Sequence, residues 1–205
     1  MKKKVLIISG GISKERLISL DTGNQVFKEL KKNGYRVKIS EPDNYLEKNI
    51  KIFKPNVIFN ALHGQFGEDG YIQTILDSFK IPYTHSSAIA SSIAMDKEIS
   101  KKLFIKNKIK TPKFFTYSYD ETNSNLIKKI NNKLKFPVVI KPLNEGSSVN
   151  VYITSKKNLI KILNKLKSYK KVLIEQFIGG REIQVAIMGN KKLGAIELKP
   201  KRKFY

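Results

Sequence analysis

A lysine at the end of an apolar run is a candidate for phosphate chemistry. Residues 137–141 have the sequence Pro-Val-Val-Ile-Lys, and Gly146, Ser147 and Ser148 follow Lys141 shortly afterwards. An ammonium fixed at a strand end can meet phosphate oxygens, and the backbone N–H groups and hydroxyls of a turn can cover the same oxygens. The Gly-x-x-x-x-Gly-Lys-Ser/Thr phosphate loop is absent from the sequence. Taken alone, the segment is equally compatible with a strand, a surface lysine and a polar turn.

Two glutamates lie where they could accept hydrogen bonds from a nucleoside. Residues 172–178 form an apolar run that contains Glu175, and Glu182 follows the pair Gly179-Gly180. An extended edge can offer main-chain groups to adenine, while carboxylates accept from the adenine amino group or from ribose hydroxyls. Each glutamate considered alone is more often a surface residue.

His63 is a third candidate, because the pair His63-Gly64 follows the apolar run at 57–62 and precedes Glu68-Asp69. A polar loop at the end of a buried strand is a common place for a site in an α/β protein. The alternative is a structural histidine. For Glu68 and Asp69 we predict that the carboxylates shape the loop through hydrogen bonds to its backbone.

Alternating strands and helices must position these residues. In the N-terminal part, the apolar spacing predicts helices at 13–32 and 71–79 and strands at 4–9, 35–40, 57–62 and 81–84. Ser13 is predicted to cap the first helix and Asn33-Gly34 to end it. This alternation predicts a parallel α/β sheet with functional loops at the carboxyl ends of its strands.

A second unit is expected from about residue 87 onwards. The pattern predicts helices at 86–107, 120–133 and 156–166 and strands at 136–142, 151–154 and 171–178. Two further strands, 182–188 and 193–198, are predicted to form a hairpin across Gly189-Asn190. We therefore expect three parts with the boundaries 1–87, 88–178 and 179–205.

The composition limits the kinds of protein to be considered. The chain has 205 residues, no cysteine and a formal net charge of +23. Without cysteine there is neither a disulfide nor thiolate chemistry. The charge could indicate a polyanion-binding protein, but lysine is spread along the chain and arginine, the better base reader, is scarce. We predict a lysine-coated surface and no specific nucleic acid as partner.

The sequence gives no sign of a membrane segment. Its apolar runs are shorter than a membrane-spanning helix. The N-terminus is basic, as in a signal peptide, but the apolar run that follows is short and enters Gly10-Gly11. We therefore expect a cytoplasmic protein without a membrane partner.

Taken in order, the strand with Lys141, the small-residue loop, the strand with Glu175 and the Gly-Gly-x-Glu turn resemble the nucleotide-binding half of the ATP-grasp fold. The N-terminal loops narrow the resemblance to the D-alanine–D-alanine ligase family. The similar segments are Ser9-Gly10-Gly11 with Ser13-Lys14-Glu15, Ala61-Leu62-His63-Gly64 with Gly67-Glu68-Asp69-Gly70, and Met95-Asp96-Lys97, which resembles the start of a helix with a lysine in that family. The resemblance covers the whole chain. It implies an α/β protein with a Rossmann-like, preATP-grasp parallel-sheet domain followed by an incomplete ATP-grasp domain.

The resemblance also implies an activity and a substrate site. The activity is the ATP-dependent formation of D-alanyl-D-alanine for peptidoglycan precursor synthesis. Glu15 would bind the amino group of the first D-alanine, Ile18 would lie near its methyl group, and His63 would lie by its carboxylate. Ser147 would join Glu15 in a catalytic hydrogen-bonded link.

For ATP, the resemblance implies contacts to the phosphates, the adenine and the ribose. The implied residues are Lys97 and Lys141 for the phosphates, Glu175, Phe177 and Ile178 for the adenine, and Glu182 for the ribose. Magnesium would accompany ATP, with its ligands expected beyond Tyr205, together with the arginine and the lid loop of the family. We therefore expect that residues 1–205 alone do not catalyse ligation.

One position departs from the family pattern, because Asn150 stands where the family usually has glycine. Asparagine tolerates a left-handed backbone, but its larger side chain could slow closure of the loop. A homodimer formed through the N-terminal region is consistent with the resemblance. The hairpin at 182–198 is expected to lack sheet partners and to expose an edge.

Three alternative interpretations stay open on the sequence. The first is another ATP-grasp carboxylate–amine ligase, the second is a non-catalytic polyanion-binding protein, and the third is a catalytically dead ATP-binding fragment.

Overall fold

A computed structural model describes residues 2–120, 122–146 and 148–199. The chain divides into two units. The first contains Met1–Thr111 and Leu143–Val149, and the second contains Pro112–Pro142 and Asn150–Tyr205. The segment Leu143–Val149 thus belongs to the first unit, although the chain on both sides of it belongs to the second.

The first unit is built on a parallel sheet with the strand order β2-β1-β3. Strand β1 (Lys4–Ile8) lies in the middle, between β2 (Arg36–Ser40) and β3 (Val57–Asn60). The last four residues of β1 are all buried, which is typical of a strand that is covered on both faces. The predicted parallel α/β sheet is therefore confirmed.

Helices cover both faces of this sheet because successive β1 side chains point to opposite faces. Val5 and Ile7 pack in a cluster with α1 (Arg16–Lys32). Leu6 and Ile8 pack in another cluster with α2 (Leu46–Phe53) and α3 (Tyr71–Ser78). The predicted end of α1 is confirmed, since Asn33 is its C-cap and Gly34 has a φ of +83°. Helix α2 was not predicted.

Two N-terminal predictions are wrong in detail. Helix α1 begins at Arg16 with Glu15 as its N-cap residue, so Ser13 lies before the cap position. The Ser13 hydroxyl donates to the carbonyl oxygen of His63 at 2.8 Å and accepts from the N–H of Glu15 at 3.2 Å. The predicted strand at 81–84 is reduced to one parallel bridge between Tyr83 and Ile58.

The predicted helix at 86–107 is two helices, α4 (Ala88–Met95) and α5 (Lys97–Lys106). Asp96 separates them with an extended backbone of φ −82° and ψ 107°. Its carboxylate accepts hydrogen bonds from the backbone N–H groups of Glu98 and Ile99, at 2.8 and 2.9 Å. Asp96 therefore ends one helix and caps the next, which a continuous helical pattern does not reveal.

The second unit contains an antiparallel sheet with the strand order β4-β7-β5-β6. Its strands are β4 (Phe114–Ser118), β5 (Val138–Pro142), β6 (Tyr152–Thr154) and β7 (Lys171–Gln176). Helices α6 (Asn123–Lys133) and α7 (Leu159–Lys165) place buried leucines and isoleucines in the same core as β5 and β7. Strand β4 was not predicted.

A hairpin follows, formed by β8 (Glu182–Met188) and β9 (Lys191–Leu198). An irregularity between Ala186 and Ile187 shifts its register. Strand β9 begins at Lys191, which is earlier than predicted. In the part of the chain that the structure describes, the hairpin forms a two-stranded sheet of its own.

The two units do not follow the predicted domain boundaries at 87/88 and 178/179, since α4 and α5 belong to the first unit. The three-part division stays a prediction about domain organisation. Within residues 2–199 as described, none of the helices combines the length and the apolar character needed to cross a lipid bilayer.

Candidate functional site

Two loops meet at the carboxyl ends of β1 and β3. The Ser19 hydroxyl, buried in α1, accepts from the N–H of Gly10 and donates to the carbonyl oxygen of Ala61, both at 2.8 Å. Ser13 adds a second bridge through its bond to the His63 carbonyl. Side chains of α1 and its leading loop therefore fix the two loops to each other.

The Glu15 carboxylate lies at this junction. It is so close to Gly64 that a Cβ added to that residue would be 2.3 Å from Glu15 Oε2, and a Cβ added to Gly146 would be 3.7 Å from the same oxygen. Gly64 also has a φ of +70°, which side-chain-bearing residues rarely adopt. The sequence-predicted Glu15 is thus brought against two residues that have no side chain.

His63 is half-buried, and its Nε2 lies 3.1 Å from the Thr22 hydroxyl. Thr22 was not singled out in the sequence, although it lies three residues after Ser19 on the face of α1 that meets these loops. Ile18 is 54% exposed, so it lies on the surface of the helix. The structure therefore places His63 against α1, whereas Ile18 lies on the exposed surface of that helix.

Glu68 and Asp69 shape the loop after β3. Glu68 Oε2 accepts from the N–H of Gly64 at 2.9 Å, and Asp69 accepts from the N–H groups of Phe66 and Tyr71 at 2.8 and 3.1 Å. The predicted loop-shaping role of both carboxylates is confirmed. Their hydrogen bonds hold the positions of Gly64 and of the start of α3.

A cavity of about 480 Å³ opens beside these loops. Its lining combines the backbone of Gly10 and Gly11 with His63 and the side chains of Leu62 and Phe66. Glu15 does not line this cavity, although Ser13 and His63 of the same two loops do.

Lys97 opens α5 and holds the 143–149 segment. Its backbone N–H donates to the carbonyl oxygen of Leu143 at 3.1 Å, and its ammonium donates to the carbonyl oxygens of Leu143 and Glu145 at 3.1 and 2.5 Å. The segment that contains Gly146 is thereby placed near Glu15 in the first unit. Ser147, predicted as a catalytic and substrate-binding residue, lies outside the described residues.

In the second unit, Lys141 and Glu175 form an ion pair. Lys141 is on β5 and Glu175 is on the neighbouring β7, where Lys141 pairs in register with Leu173. The Glu175 side chain is 8% exposed and that of Lys141 is 21% exposed. The structure therefore brings together the residues predicted for the phosphates and for the adenine.

The remaining predicted nucleotide residues lie beyond β7. Phe177 and Ile178 follow the strand and are 38% and 59% exposed. Glu182 begins β8, is exposed, and pairs in register with Leu198. Each of the three has an accessible side chain.

Magnesium is the ion expected beside the nucleotide phosphates. Among residues 2–120, 122–146 and 148–199, however, no three His, Cys, Asp or Glu side chains come together as metal ligands. Magnesium is usually bound by one or two carboxylates together with substrate phosphates, so its presence beside ATP stays a prediction.

Two family models match the chain. The model described as D-ala D-ala ligase N-terminus matches residues 38–86, and that described as D-ala D-ala ligase C-terminus matches residues 103–205.

Individual proteins are similar over the whole chain. The D-alanine–D-alanine ligase of Pelagibacter ubique (strain HTCC1062) is 72% identical over 205 residues, which are 100% of this chain and 67% of the relative. That of Zymomonas mobilis is 41% identical, over 100% of this chain and 64% of the relative. The chain spans about two thirds of the length of these curated relatives.

A solved structure has the same fold. The crystal structure of the D-alanine–D-alanine ligase from Bacillus anthracis complexed with ATP matches with a TM-score of 0.82 and 32% identity, over 98% of this chain and 68% of that chain. The fold is therefore that of an ATP-grasp ligase. The family models and the relatives together define the group more narrowly: the chain belongs to the D-alanine–D-alanine ligase family.

Proposed function

We propose that the protein containing this chain joins two molecules of D-alanine into D-alanyl-D-alanine and converts ATP to ADP and phosphate. One observation carries the proposal, namely the position of the Glu15 carboxylate against Gly64 and Gly146. A carboxylate beside two residues without side chains can accept hydrogen bonds from the ammonium group of a small amino acid. Membership of the family supports the same reaction.

The reaction has two steps. The carboxylate oxygen of one D-alanine attacks the γ-phosphorus of ATP, which forms an acylphosphate and releases ADP. The amine of the second D-alanine then attacks the acyl carbon, loses a proton and expels phosphate as the amide bond forms. Positioning of the reactants and neutralisation of the phosphate charge are what the protein must supply.

For the first D-alanine, we assign the ammonium group to Glu15, the methyl group to Ile18 and the carboxylate to His63. Ser147 is assigned the hydrogen-bonded link to Glu15. The support for Glu15 and His63 is that their loops are bound to each other through Ser13.

For ATP, we assign the phosphates to Lys97 and Lys141. The other assigned residues are Glu175, Phe177 and Ile178 for the adenine and Glu182 for the ribose. Lys97 supports this role because its ammonium binds the backbone at Leu143. Lys141 supports it because it is the penultimate residue of β5 and is only partly buried. When bound, magnesium would neutralise phosphate charge.

The direct test is dipeptide formation from ATP and D-alanine by the protein that contains this chain, followed by mass spectrometry. Glu15→Gln should lower kcat/KM for D-alanine by about 10- to 100-fold, because a hydrogen bond to a charged group contributes roughly 1.5–3 kcal/mol. Glu29→Gln, which changes an exposed carboxylate elsewhere in α1, is the matched control. Absence of the dipeptide from the unaltered protein would reject the proposal.

A different ATP-grasp carboxylate–amine ligase is the second candidate, since the ion pair of Lys141 and Glu175 has no bearing on which amino acid is joined. Release of phosphate with another amino acid, and not with D-alanine, would favour it. Binding to duplex DNA that persists at physiological salt would favour the polyanion-binding alternative, whereas binding lost with salt reflects the lysine coat.

We further propose action in the cytoplasm, magnesium as the companion of ATP, and a homodimer formed through the N-terminal region. Sedimentation of the protein at several concentrations tests the dimer. The absence of ligation by residues 1–205 alone stays a prediction, and detectable dipeptide made by that chain would contradict it.

A further inference from the structure

The cavity beside the loops of Gly10 and His63 lies entirely within the first unit. Its volume of about 480 Å³ is in the range of small-molecule sites. Its lining comes from the loops that follow β1, β2 and β3 and from α3, and ligands of open α/β sheets usually bind at the carboxyl ends of the strands. Glu15 and Ile18 do not line it. The cavity is therefore distinct from the positions assigned to the ammonium and methyl groups of D-alanine.

Two aromatic residues form part of the cavity wall. Phe66 and Tyr71 both line it, and their rings make an edge-to-face pair with centroids 5.2 Å apart. The Asp69 carboxylate holds both residues, since it accepts from the N–H groups of Phe66 and Tyr71 at 2.8 and 3.1 Å. Phe66 has a φ of +67°, a backbone that is unusual for a bulky residue and that is found preferentially at ligand sites. The loop thus holds the aromatic pair in place at the cavity.

The charges around this cavity differ from those of the chain as a whole. The sequence has 40 lysine and arginine residues and a formal net charge of +23. Within the part of the chain that the structure describes, none of these basic residues lines the cavity, whereas Asp43 and Glu47 do. Asp43 accepts from the N–H of Tyr45 at 2.9 Å, Glu47 forms a surface ion pair with Lys51, and both acidic residues are exposed. The lining therefore favours a cation over an anion.

We propose that this cavity binds a small organic cation with an aromatic or apolar body, of the arylalkylamine class. The ring faces of Phe66 and Tyr71 attract a positive charge, and the carboxylates add to that attraction. Apolar side chains such as those of Leu62 and Ile75 also line the cavity and can cover the hydrocarbon part. The site goes beyond the proposed function, because its ligand is neither D-alanine nor ATP, although His63 lines the cavity as well.

The experiment titrates three probes of similar shape into the protein that contains this chain, followed by NMR at neutral pH and physiological salt. Phenethylamine is a cation, phenethyl alcohol is neutral and phenylpropanoate is an anion. We expect the amine to bind about 10-fold more tightly than the alcohol, as exposed ion pairs and cation–π contacts together imply. The anion should bind more weakly than the alcohol.

Variants locate the binding. Combining Asp43→Asn with Glu47→Gln removes both charges, and the asparagine oxygen can still accept from the backbone. The preference for the amine should then fall to about two- to threefold, the contribution of the rings, with the affinity for the alcohol unchanged. Glu29→Gln alters an exposed carboxylate outside the lining and is the matched control, which should keep the full preference. Tyr71→Leu should weaken binding of the amine more than that of the alcohol. Thermal denaturation checks that each variant is folded.

A full preference for the amine in the variant without the two carboxylates would overturn the inference, because the amine would then bind elsewhere. Absence of binding by all three probes, or a preference for phenylpropanoate, would overturn it as well. Saturating D-alanine should change the affinity for the amine by no more than about twofold, as expected of separate sites. Displacement by D-alanine would place the amine at Glu15 and would also overturn the inference. These titrations need no turnover, so a protein that made no dipeptide would refute the proposed function and leave the result on this cavity standing.

Discussion

Asn150 donates a hydrogen bond from Nδ2 to the hydroxyl oxygen of Tyr169, at 2.8 Å. Its Oδ1 accepts from the Tyr152 hydroxyl at 3.3 Å. The residue has a φ of +56°, so the expected left-handed backbone at this position is confirmed. Its side chain is held between two tyrosines of the second unit. That it slows closure of the preceding loop stays a prediction.

We predict that Asn150→Gly lowers the free energy of unfolding by about 1 kcal/mol. It removes two hydrogen bonds that contribute roughly 0.5–1.5 kcal/mol each, and relief of the left-handed backbone offsets part of that loss. Urea denaturation measures the change. Tyr169→Phe removes the shorter of these two bonds. The losses of stability in the double variant should therefore be less than additive, and strictly additive losses would contradict the contact.

The ion pair of Lys141 and Glu175 leads to a second prediction. Lys141→Met should weaken ATP binding about 10- to 100-fold through loss of a charge-assisted hydrogen bond. It should also destabilise the protein, because the buried Glu175 carboxylate loses its ion pair with Lys141.

Stability and binding can be separated at this pair. Adding Glu175→Gln to Lys141→Met should recover stability in thermal denaturation without recovering ATP affinity in a calorimetric titration. Recovery of ATP affinity in the double variant would show that Lys141 does not itself contact the phosphates.

Gly70 gives a prediction about stability. It has a φ of +93°, and an added Cβ would lie 2.4 Å from the carbonyl oxygen of Ala88. Gly34 has a similar φ of +83° with nothing within 4 Å of the added atom. Gly34→Ala should therefore cost about 1 kcal/mol from the backbone alone.

Gly70→Ala should cost at least about 2 kcal/mol, since displacement of α4 is added to the backbone strain. Thermal denaturation of the two variants measures the difference. Equal losses would mean that Ala88 moves aside freely.

Asp96 gives a prediction about α5. Asp96→Ala should destabilise the helix start by about 1 kcal/mol, the usual contribution of an N-cap, and should speed amide exchange at Glu98 and Ile99. Asp96→Asn should retain most of the stability. Ser87, whose hydroxyl caps α4 at a longer 3.4 Å, is the comparison, and Ser87→Ala should cost less.

The fold was predictable where the apolar pattern is strong. The buried run of β1 and the spacing in α1 identify a parallel α/β unit. Strand β4 was missed because its residues are mostly half-buried and lack a continuous apolar run. The apolar pattern missed the break at Asp96 because the residues on both sides favour helix, although the resemblance of Met95-Asp96-Lys97 to a helix start in the family pointed to it.

The site was predictable as a set of residue types and much less as a set of contacts. Sequence motifs pointed to Glu15, His63 and Lys97, which the structure describes in loops and at a helix start. The pairing of Lys14 with Glu145 spans most of the chain, and a single sequence holds no information about such distant partners. The position of Thr22 beside His63 depends likewise on how α1 packs.

The segment Leu143–Val149 belongs to the first unit while its flanking strands belong to the second. Neither unit is therefore encoded as one uninterrupted stretch of the gene. A fragment that ends at Thr111 leaves out the segment to which Lys14 and Lys97 bind, and a fragment that starts at Pro112 carries that segment away from them. A single cut between Thr111 and Pro112 would thus place Glu145 and Gly146 on the fragment of the second unit, although they belong to the first. Any division of the protein into its two units must therefore join two separate stretches of sequence.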